Sequence, residues 1–309
     1  MFRVFLLTIG VVLSVVMVLK VGVTGFAERL IAAPPYWILL SIALYGLILL
    51  LGIFRWTVYL KMLGEEISIK DIRQAYFLNC FVSNLTPGRS GDVLAPKYLS
   101  DSAGVAVPNS SAMLIVDRGS DLILLILLFF AGIFVLAIKY NTSFPLDLDL
   151  KLVAAALCVI AIIVFSVSKS SYTVSFRRRI SGFLREIHKG VRRFATLQRI
   201  AIALCLSAVN WFLHICKELF FLNAFISIDF VQVLVCQSVT NIVALLSFVP
   251  GGLGVNVASV ALITRSMGLD WQGAAVSVTV STLLFTLIRL ILGILFCRSQ
   301  SLTLSSTSN

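Results

Sequence analysis

Charge is scarce in this sequence: only 13% of its 309 residues are Asp, Glu, Lys or Arg, where soluble domains carry roughly 25%. Acids are the scarcer sign, 14 against 25 basic residues. With 59% hydrophobic residues, that shortage excludes a soluble globular domain and makes the chain an integral membrane protein. Histidine is nearly missing, with His188 and His214 alone. His214 precedes Glu218 by one helical turn, but two ligands do not make a metal site, so neither a metal nor another cofactor is expected. The cysteines (Cys80, Cys158, Cys205, Cys216, Cys236, Cys297) stand singly in apolar segments without CxxC spacing and read as packing residues. Long polar stretches are absent as well. Lys169–Arg199 and the Ser/Thr-rich tail Ser299–Asn309 are too short to bury a core, which argues against an enzyme with a globular catalytic domain. No catalytic residue is assigned.

What the chain has instead is long apolar runs: Val4–Leu19, Tyr36–Phe54, Leu122–Ile138, Leu152–Ser168, Ile200–Cys216, Phe230–Thr264 and Trp271–Ile288. A span needs about 20 mainly apolar residues, and no ~10-residue alternating segments suggest a barrel. The expected fold is an all-α polytopic membrane protein with about six full transmembrane helices. The first run lacks a small-x-small cleavage site in Gly22–Ala27 and reads as an uncleaved span.

The charges that exist are unevenly placed. Lys169, Arg177, Arg178, Arg179, Arg185, Lys189, Arg192, Arg193 and Arg199 face one acid, Glu186, so the loop is expected to be cytoplasmic. Phe176, Ile180, Phe183, Leu184, Ile187, Val191 and Phe194 recur at three- and four-residue steps. That spacing lays an amphipathic helix on the membrane surface, with anionic lipid headgroups rather than nucleic acid as its partner. Carrying this anchor along the chain puts Ala95–Ser111 inside, with Arg3, Arg55, Lys61, Lys70 and Arg73, and puts Asp147 and Asp149 outside. Both termini are then cytoplasmic, in a bacterial inner membrane.

That topology requires the stretch Ser83–Asp92, SNLTPGRSGD, to enter and leave the membrane on one side. As helix, residues 74–86 span about 20 Å, short of a ~30 Å hydrocarbon core. Such a re-entrant hairpin is permitted only where protein or a watery cavity satisfies its backbone. The pattern occurs twice: Pro87-Gly88-Arg89-Ser90-Gly91 and Pro250-Gly251-Gly252-Leu253-Gly254 are both P-G-x-x-G. Their surroundings match in order. Trp56 precedes one and Trp211 the other; Ile67–Asp71 parallels Ile226–Asp229, and Gly104-Val105 parallels Gly268-Leu269. Arg118 and Arg289 complete the pair less closely. Three crossings between the tryptophans turn the second copy upside down. The chain is therefore expected to be one membrane domain with inverted repeats and two re-entrant Pro-Gly hairpins. Residues 1–35 are a first span and outer loop, 36–138 the first repeat, 139–199 a linker span and basic loop, 200–298 the inverted second repeat, and 299–309 a disordered tail. Paired Gly/Pro-interrupted segments point to a transporter's binding site near the midplane.

A charge at the middle of a span costs about 2.5–3.5 kcal/mol, so each needs a reason. Arg89 and Asp92 sit in the first hairpin; Asp117, Arg118 and Asp121 open the next span, with the two acids one turn apart; Lys217 and Glu218 lie in the second tryptophan-bearing span and Arg289 in the last. Structural pairing, as of Arg118 with Asp92, or snorkelling by Lys217, is one account. The other is that Arg89, Arg118 and Arg289 hold an anionic headgroup, since guanidinium matches phosphate bidentately. Glycine backbone N–H groups would assist, and the carboxylates would orient the arginines or receive a cationic group.

The motifs Arg55-Trp56 with Leu63-Gly64, Asn84-Leu85-Thr86-Pro87-Gly88-Arg89-Ser90-Gly91-Asp92, Asp117-Arg118-x-x-Asp121 and Val249–Val255 carry a resemblance. The chain resembles the flippase-like family typified by the transmembrane region of lysylphosphatidylglycerol synthases, the multiple peptide resistance factors of bacteria. Stand-alone members include hopanoid-associated membrane proteins. The resemblance implies movement of phospholipid headgroups between leaflets. It extends the candidate site to Asn84, Pro87, Gly88, Gly91, Lys97, Pro250, Gly251, Gly252, Gly254 and Asn256. Three positions depart from the family pattern. Asp92 stands where Glu is usual, Lys97 offers the only nearby cation where arginine is common, and Asn256-Val257 replaces an acid. The last departure weakens recognition of a cationic headgroup. Nothing here corresponds to the aminoacyl-transferring domain of the synthases. The expected function is translocation of a lipid with an anionic headgroup. The alternatives are an enzyme or accessory acting on polyprenyl-phosphate lipids, with Asp121 as the required carboxylate, and a scaffold for a lipid-modifying enzyme partner.

Overall fold

The computed structural model describes Leu19 and residues 22–86, 91–140, 174–247, 249–252 and 254–306. The expected first span up to residue 18, the linker span 152–168, the corner 87–90 of the first Pro-Gly motif, and Leu253 lie outside the described residues. Among the described residues every regular element is helical. They are α1 Val23–Ala32, α2 Pro35–Met62, α3 Ile69–Leu85, α4 Leu94–Ala103, α5 Val107–Tyr140, α6 Val174–Arg192, α7 Leu197–Asn223, α8 Phe230–Ser247, α9 Val255–Ser266 and α10 Trp271–Ser306. α10 runs into the segment whose composition reads as a tail. α2, α7 and α10 are each long and apolar enough to cross a membrane. With these the chain is an all-α polytopic membrane protein.

Local chemistry sets the element ends. α2 opens on Pro35, whose fixed φ suits the first helical position, and closes before Gly64 at φ 84°. α3 begins at Ser68, whose Oγ accepts the Asp71 N–H at 3.1 Å. This cap starts α3 five residues before Gln74, so the helix has 17 residues, about 26 Å, longer than the expected run. α8 begins with a reciprocal box: the Gln232 N–H donates to Asp229 Oδ1 at 2.9 Å and the Asp229 N–H to Gln232 Oε1 at 3.0 Å. Left-handed glycines close the helices after each turn. Val105 N–H reaches back to Leu99 O at 3.2 Å past Gly104, and Leu269 N–H to Thr264 O at 2.9 Å past Gly268. α5 starts at Val107, so Asp117, Arg118 and Asp121 do not open a span as expected but lie three turns inside a helix.

The elements form two repeats, α2–α5 and α7–α10, with α6 between them. α2 and α7 make the central pair and run antiparallel. Trp37 stacks on Phe220, Ser41 Oγ donates to Lys217 O at 2.9 Å, and at the other end Tyr59 OH donates to Ala203 O at 3.5 Å. Equivalent helices of opposite direction make the repeats inverted. Exchanging the repeats also largely preserves the packing: α3 packs on α10 as α8 packs on α5, and α4 folds back on α3 as α9 does on α8. Both swapped contacts need a glycine. A Cβ on Gly132 of α5 would lie 2.5 Å from Leu234 of α8, and one on Gly293 of α10 would lie 2.6 Å from Phe81 of α3. Each repeat has its own apolar cluster, around Trp56, Tyr59 and Leu99 in the first and Leu222, Val233 and Val260 in the second. A third cluster of Tyr45, Phe77, Phe221 and Phe285 joins them. Outward positions such as Leu39, Leu50, Phe130, Phe134, Leu287 and Ile294 expose large apolar groups, as a lipid-facing surface requires.

Candidate functional site

The swapped packing leaves a cavity of about 510 Å³ between the repeats, lined from α2, α3, α5, α7, α8, α9, α10 and both turns. Each helix contributes one stripe at helical spacing. Tyr76, Asn79, Cys80 and Ser83 of α3 match Gln237, Thr240, Asn241 and Ala244 of α8 step for step. Asp117, Arg118, Asp121, Leu122 and Leu125 of α5 match Ser281, Thr282, Phe285, Thr286 and Arg289 of α10. Ile48, Leu49, Gly52, Arg55 and Trp56 of α2 match Asn210, Trp211, His214, Lys217 and Glu218 of α7. This register corrects two sequence correspondences. Trp56 stands in the place of Glu218, not Trp211, and Arg118 in the place of Thr282, not Arg289. The true counterparts are the two central-helix cations, Arg55 and Lys217.

Arg55 is more than a topology marker near a helix end. It is 3% exposed, deep in the protein. Its Nη2 lies 2.7 Å from Asp117 Oδ1, 3.0 Å from Asp121 Oδ1 and 3.1 Å from Ser207 Oγ, while Nη1 reaches Asp121 Oδ2 at 3.5 Å. Ser207 Oγ in turn donates to Ser120 Oγ at 2.8 Å. A guanidinium so buried is tolerable only with carboxylates this close, and the one-turn spacing of Asp117 and Asp121 supplies them. The counterpart differs. Lys217 Nζ lies 2.9 Å from Glu218 Oε2 and 4.4 Å from the Phe285 ring centre, and Phe285 occupies the place that Asp121 holds on α5. Lys217 is therefore buried against the joining cluster and does not snorkel.

Next to this network, Arg118 Nε donates to Asp92 Oδ2 at 3.2 Å, and its Nη1 is 3.9 Å from Asp117 Oδ2. Asp92 follows the first Pro-Gly corner, where Ser83 Oγ donates to its other oxygen and the Gly91 N–H donates to Thr86 Oγ1 at 2.8 Å. Unlike Arg55, Arg118 keeps 34% of its side chain exposed within this otherwise enclosed group. Arg289 Nε donates to Tyr45 OH at 2.6 Å, its guanidinium over the Tyr45 ring. The second turn carries positive φ at Gly251, Gly252 and Gly254. A Cβ on Gly252 would sit 2.6 Å from Asn256 Oδ1, so that glycine makes room for the amide.

Of the residues singled out in the sequence, the cavity gathers Asp92, Asp117, Arg118, Asp121, Lys217, Glu218, Gly251, Gly252, Asn256 and Arg289. Lys97 is exposed on α4 and Asn84 belongs to the last turn of α3. Gly91 and Gly254 are buried in the two turns, and Pro250 opens the second. Pro87, Gly88 and Arg89 lie outside the described residues. Sequence reasoning missed Arg55, Asn210, Gln237, Thr240 and Asn241. For α8 a signal existed, because Gln237, Thr240 and Asn241 form one polar stripe at helical spacing on a mainly apolar helix.

Four buried polar side-chain atoms among the described residues have no hydrogen-bond partner in the protein: Arg55 Nε, Trp211 Nε1, Thr240 Oγ1 and Asn256 Oδ1. All four residues line this one cavity. Each such group costs about 1–3 kcal/mol if left dry, so the cavity wall is where the protein's buried polar groups are least well satisfied among the described residues.

Comparison with known proteins gives the site a family. The profile of the family described as lysylphosphatidylglycerol synthase TM region matches residues 4–296. A UPF0104 membrane protein of Pyrococcus horikoshii is 26% identical over 98% of both chains, and one of Methanothermobacter thermautotrophicus is 23% identical over 74% of each.

Proposed function

The chain belongs to the lysylphosphatidylglycerol synthase transmembrane-region family, and on that premise we propose that it moves a lipid with an anionic headgroup between membrane leaflets. The observation that carries the reading is the cavity between the inverted repeats, whose wall carries an ion network and the partly exposed Arg118. Arg118 offers guanidinium N–H groups to a phosphate, Asp92 holds it in position, and Arg89 and Arg289 supply further positive charge. Arg55 organises this wall without needing to touch the lipid, since its two carboxylates hold it in place. The α3–α4 and α8–α9 hairpins enter the bilayer from opposite faces, with Thr86 and Asp92 of one and Gly251 and Gly252 of the other on the cavity wall. α6 rests on the cytoplasmic surface of the plasma membrane, where anionic lipids meet its basic residues and the exposed Phe183 and Leu184. A role as scaffold for a lipid-modifying enzyme partner is compatible with this function. The polyprenyl-phosphate enzyme reading is weaker, because both oxygens of Asp121 already accept from Arg55.

Photocrosslinking tests occupancy of the cavity. A phospholipid bearing a photoactivatable group on its headgroup should label peptides containing Asp117–Leu125 and Gln237–Ala244. Labelling confined to outward positions such as Phe130 and Phe134 would remove the reading.

A further inference from the structure

We infer that the second Pro-Gly turn, Pro250–Gly252, is the moving gate of the cavity and that the first hairpin is its fixed wall. The inference rests on the headgroup reading above and adds how access to that site is controlled. The first hairpin is tied down by side chains. Ser83 Oγ donates to Asp92, which also accepts from Arg118 Nε at 3.2 Å, and the Gly91 N–H donates to Thr86 Oγ1 at 2.8 Å. Gly91 presses on the end of α3, since a Cβ there would lie 2.7 Å from Val82 Cγ1 and 2.9 Å from Thr86 Oγ1. These ties join the two arms of the hairpin to each other and to α5.

The second hairpin lacks the groups for these ties. In the register of the facing helices, Ala244 stands for Ser83 and Thr282 for Arg118. In the register of the two P-G-x-x-G motifs, Val249 stands for Thr86 and Val255 for Asp92. Alanine and valine side chains neither donate nor accept a hydrogen bond. The turn carries a backbone bond instead, Gly252 N–H to Val249 O at 3.0 Å, and positive φ at Gly251, Gly252 and Gly254. Glycine leaves such a conformation for an ordinary one without a Cβ clash. The turn also sits where movement matters. Val249, Gly251 and Gly252 line the cavity, and α3 meets the second repeat through α10 and through this turn. Moving the turn off α3 opens the cavity between the repeats and breaks no counterpart of the Ser83–Asp92–Arg118 ties.

The test is amide hydrogen exchange in the full-length protein in detergent, comparing matched positions, Gly91 and Asp92 against Gly254 and Val255. After correction for intrinsic rates, the second pair should exchange about tenfold faster or more in wild type, the effect of the side-chain ties on the first. Thr86→Val, which removes one tie at nearly constant shape, should speed exchange at Gly91 about fivefold. Val249→Thr, which supplies the missing hydroxyl, should slow exchange at Gly254 about fivefold and slow leaflet exchange of fluorescent phosphatidylglycerol in liposomes as well. Equal exchange of the two pairs in wild type overturns the inference, needs no variant to read, and leaves the headgroup reading standing. Slowed amide exchange in Val249→Thr with unchanged leaflet exchange also overturns it. If wild type moves no phospholipid, the headgroup reading falls and the gate with it.

Discussion

At Arg55 one guanidinium meets two carboxylates and a serine hydroxyl with 3% of its surface exposed. Removing one member of such a group strands the others. Arg55→Met should therefore cost about 3–5 kcal/mol of stability, read by denaturant unfolding in detergent. Arg55→Lys, which keeps the charge but not the fork, should fall between that variant and wild type; a wild-type midpoint for Arg55→Met would show that the network does not hold the core together. Asp92 acts differently, since its partner Arg118 is partly exposed. Asp92→Asn should leave the fold intact and lower lipid transport by freeing Arg118 to wander. Asp117 and Asp121 were legible in the sequence because unexplained charges one helical turn apart stand out in an apolar run. Arg55 was not, because the positive-inside rule treats a cation near a helix end as a topology marker. Only the fold shows that the helix runs on past it.

Among the elements, the swapped pairs α3–α10 and α5–α8 depend on Gly293 and Gly132, where any Cβ meets the partner helix. Gly293→Leu and Gly132→Leu should each destabilise by about 1–3 kcal/mol or more, because a side chain at either position overlaps the partner helix. A wild-type unfolding midpoint for either variant would show that its helix pair does not depend on that close approach. α1 is tied to the turn before α10 by an ion pair of Arg29 with Asp270. Partial burial works to raise the Asp270 pKa, but the hydrogen bonds from Arg29 and the Gly273 N–H outweigh it and hold the carboxyl below its usual range. The tie is accordingly complete above the ordinary carboxylate range and is lost as pH falls through the depressed value. A spin label at Glu28→Cys should become mobile on acidification, and Asp270→Asn should be mobile at every pH. Cap chemistry explains why Gly104-Val105 and Gly268-Leu269 recur in matched places: each glycine closes a helix in a left-handed conformation. Register was not legible. The tryptophans looked like landmarks, yet each simply fills space at a different height on its helix, and the matching stripes appear only once the facing surfaces are known.

For the whole molecule, α2 and α7 pair antiparallel, the change of direction that inverted halves require. The sequence pattern could not reveal that the halves differ in chemistry, with an ion network around Arg55 in one and a lysine over an aromatic ring in the other. That asymmetry follows from Asp121 and Phe285 occupying the same place, a fact that depends on register. The most direct test of a headgroup path through this cavity is leaflet exchange of a fluorescent phospholipid in liposomes containing the reconstituted protein. The fraction quenched by an impermeant reductant should rise from the outer leaflet alone toward both leaflets with wild type, and far less with Arg118→Ala or Arg89→Ala. Equal quenching in protein-free liposomes and in liposomes holding the folded wild type would contradict the account.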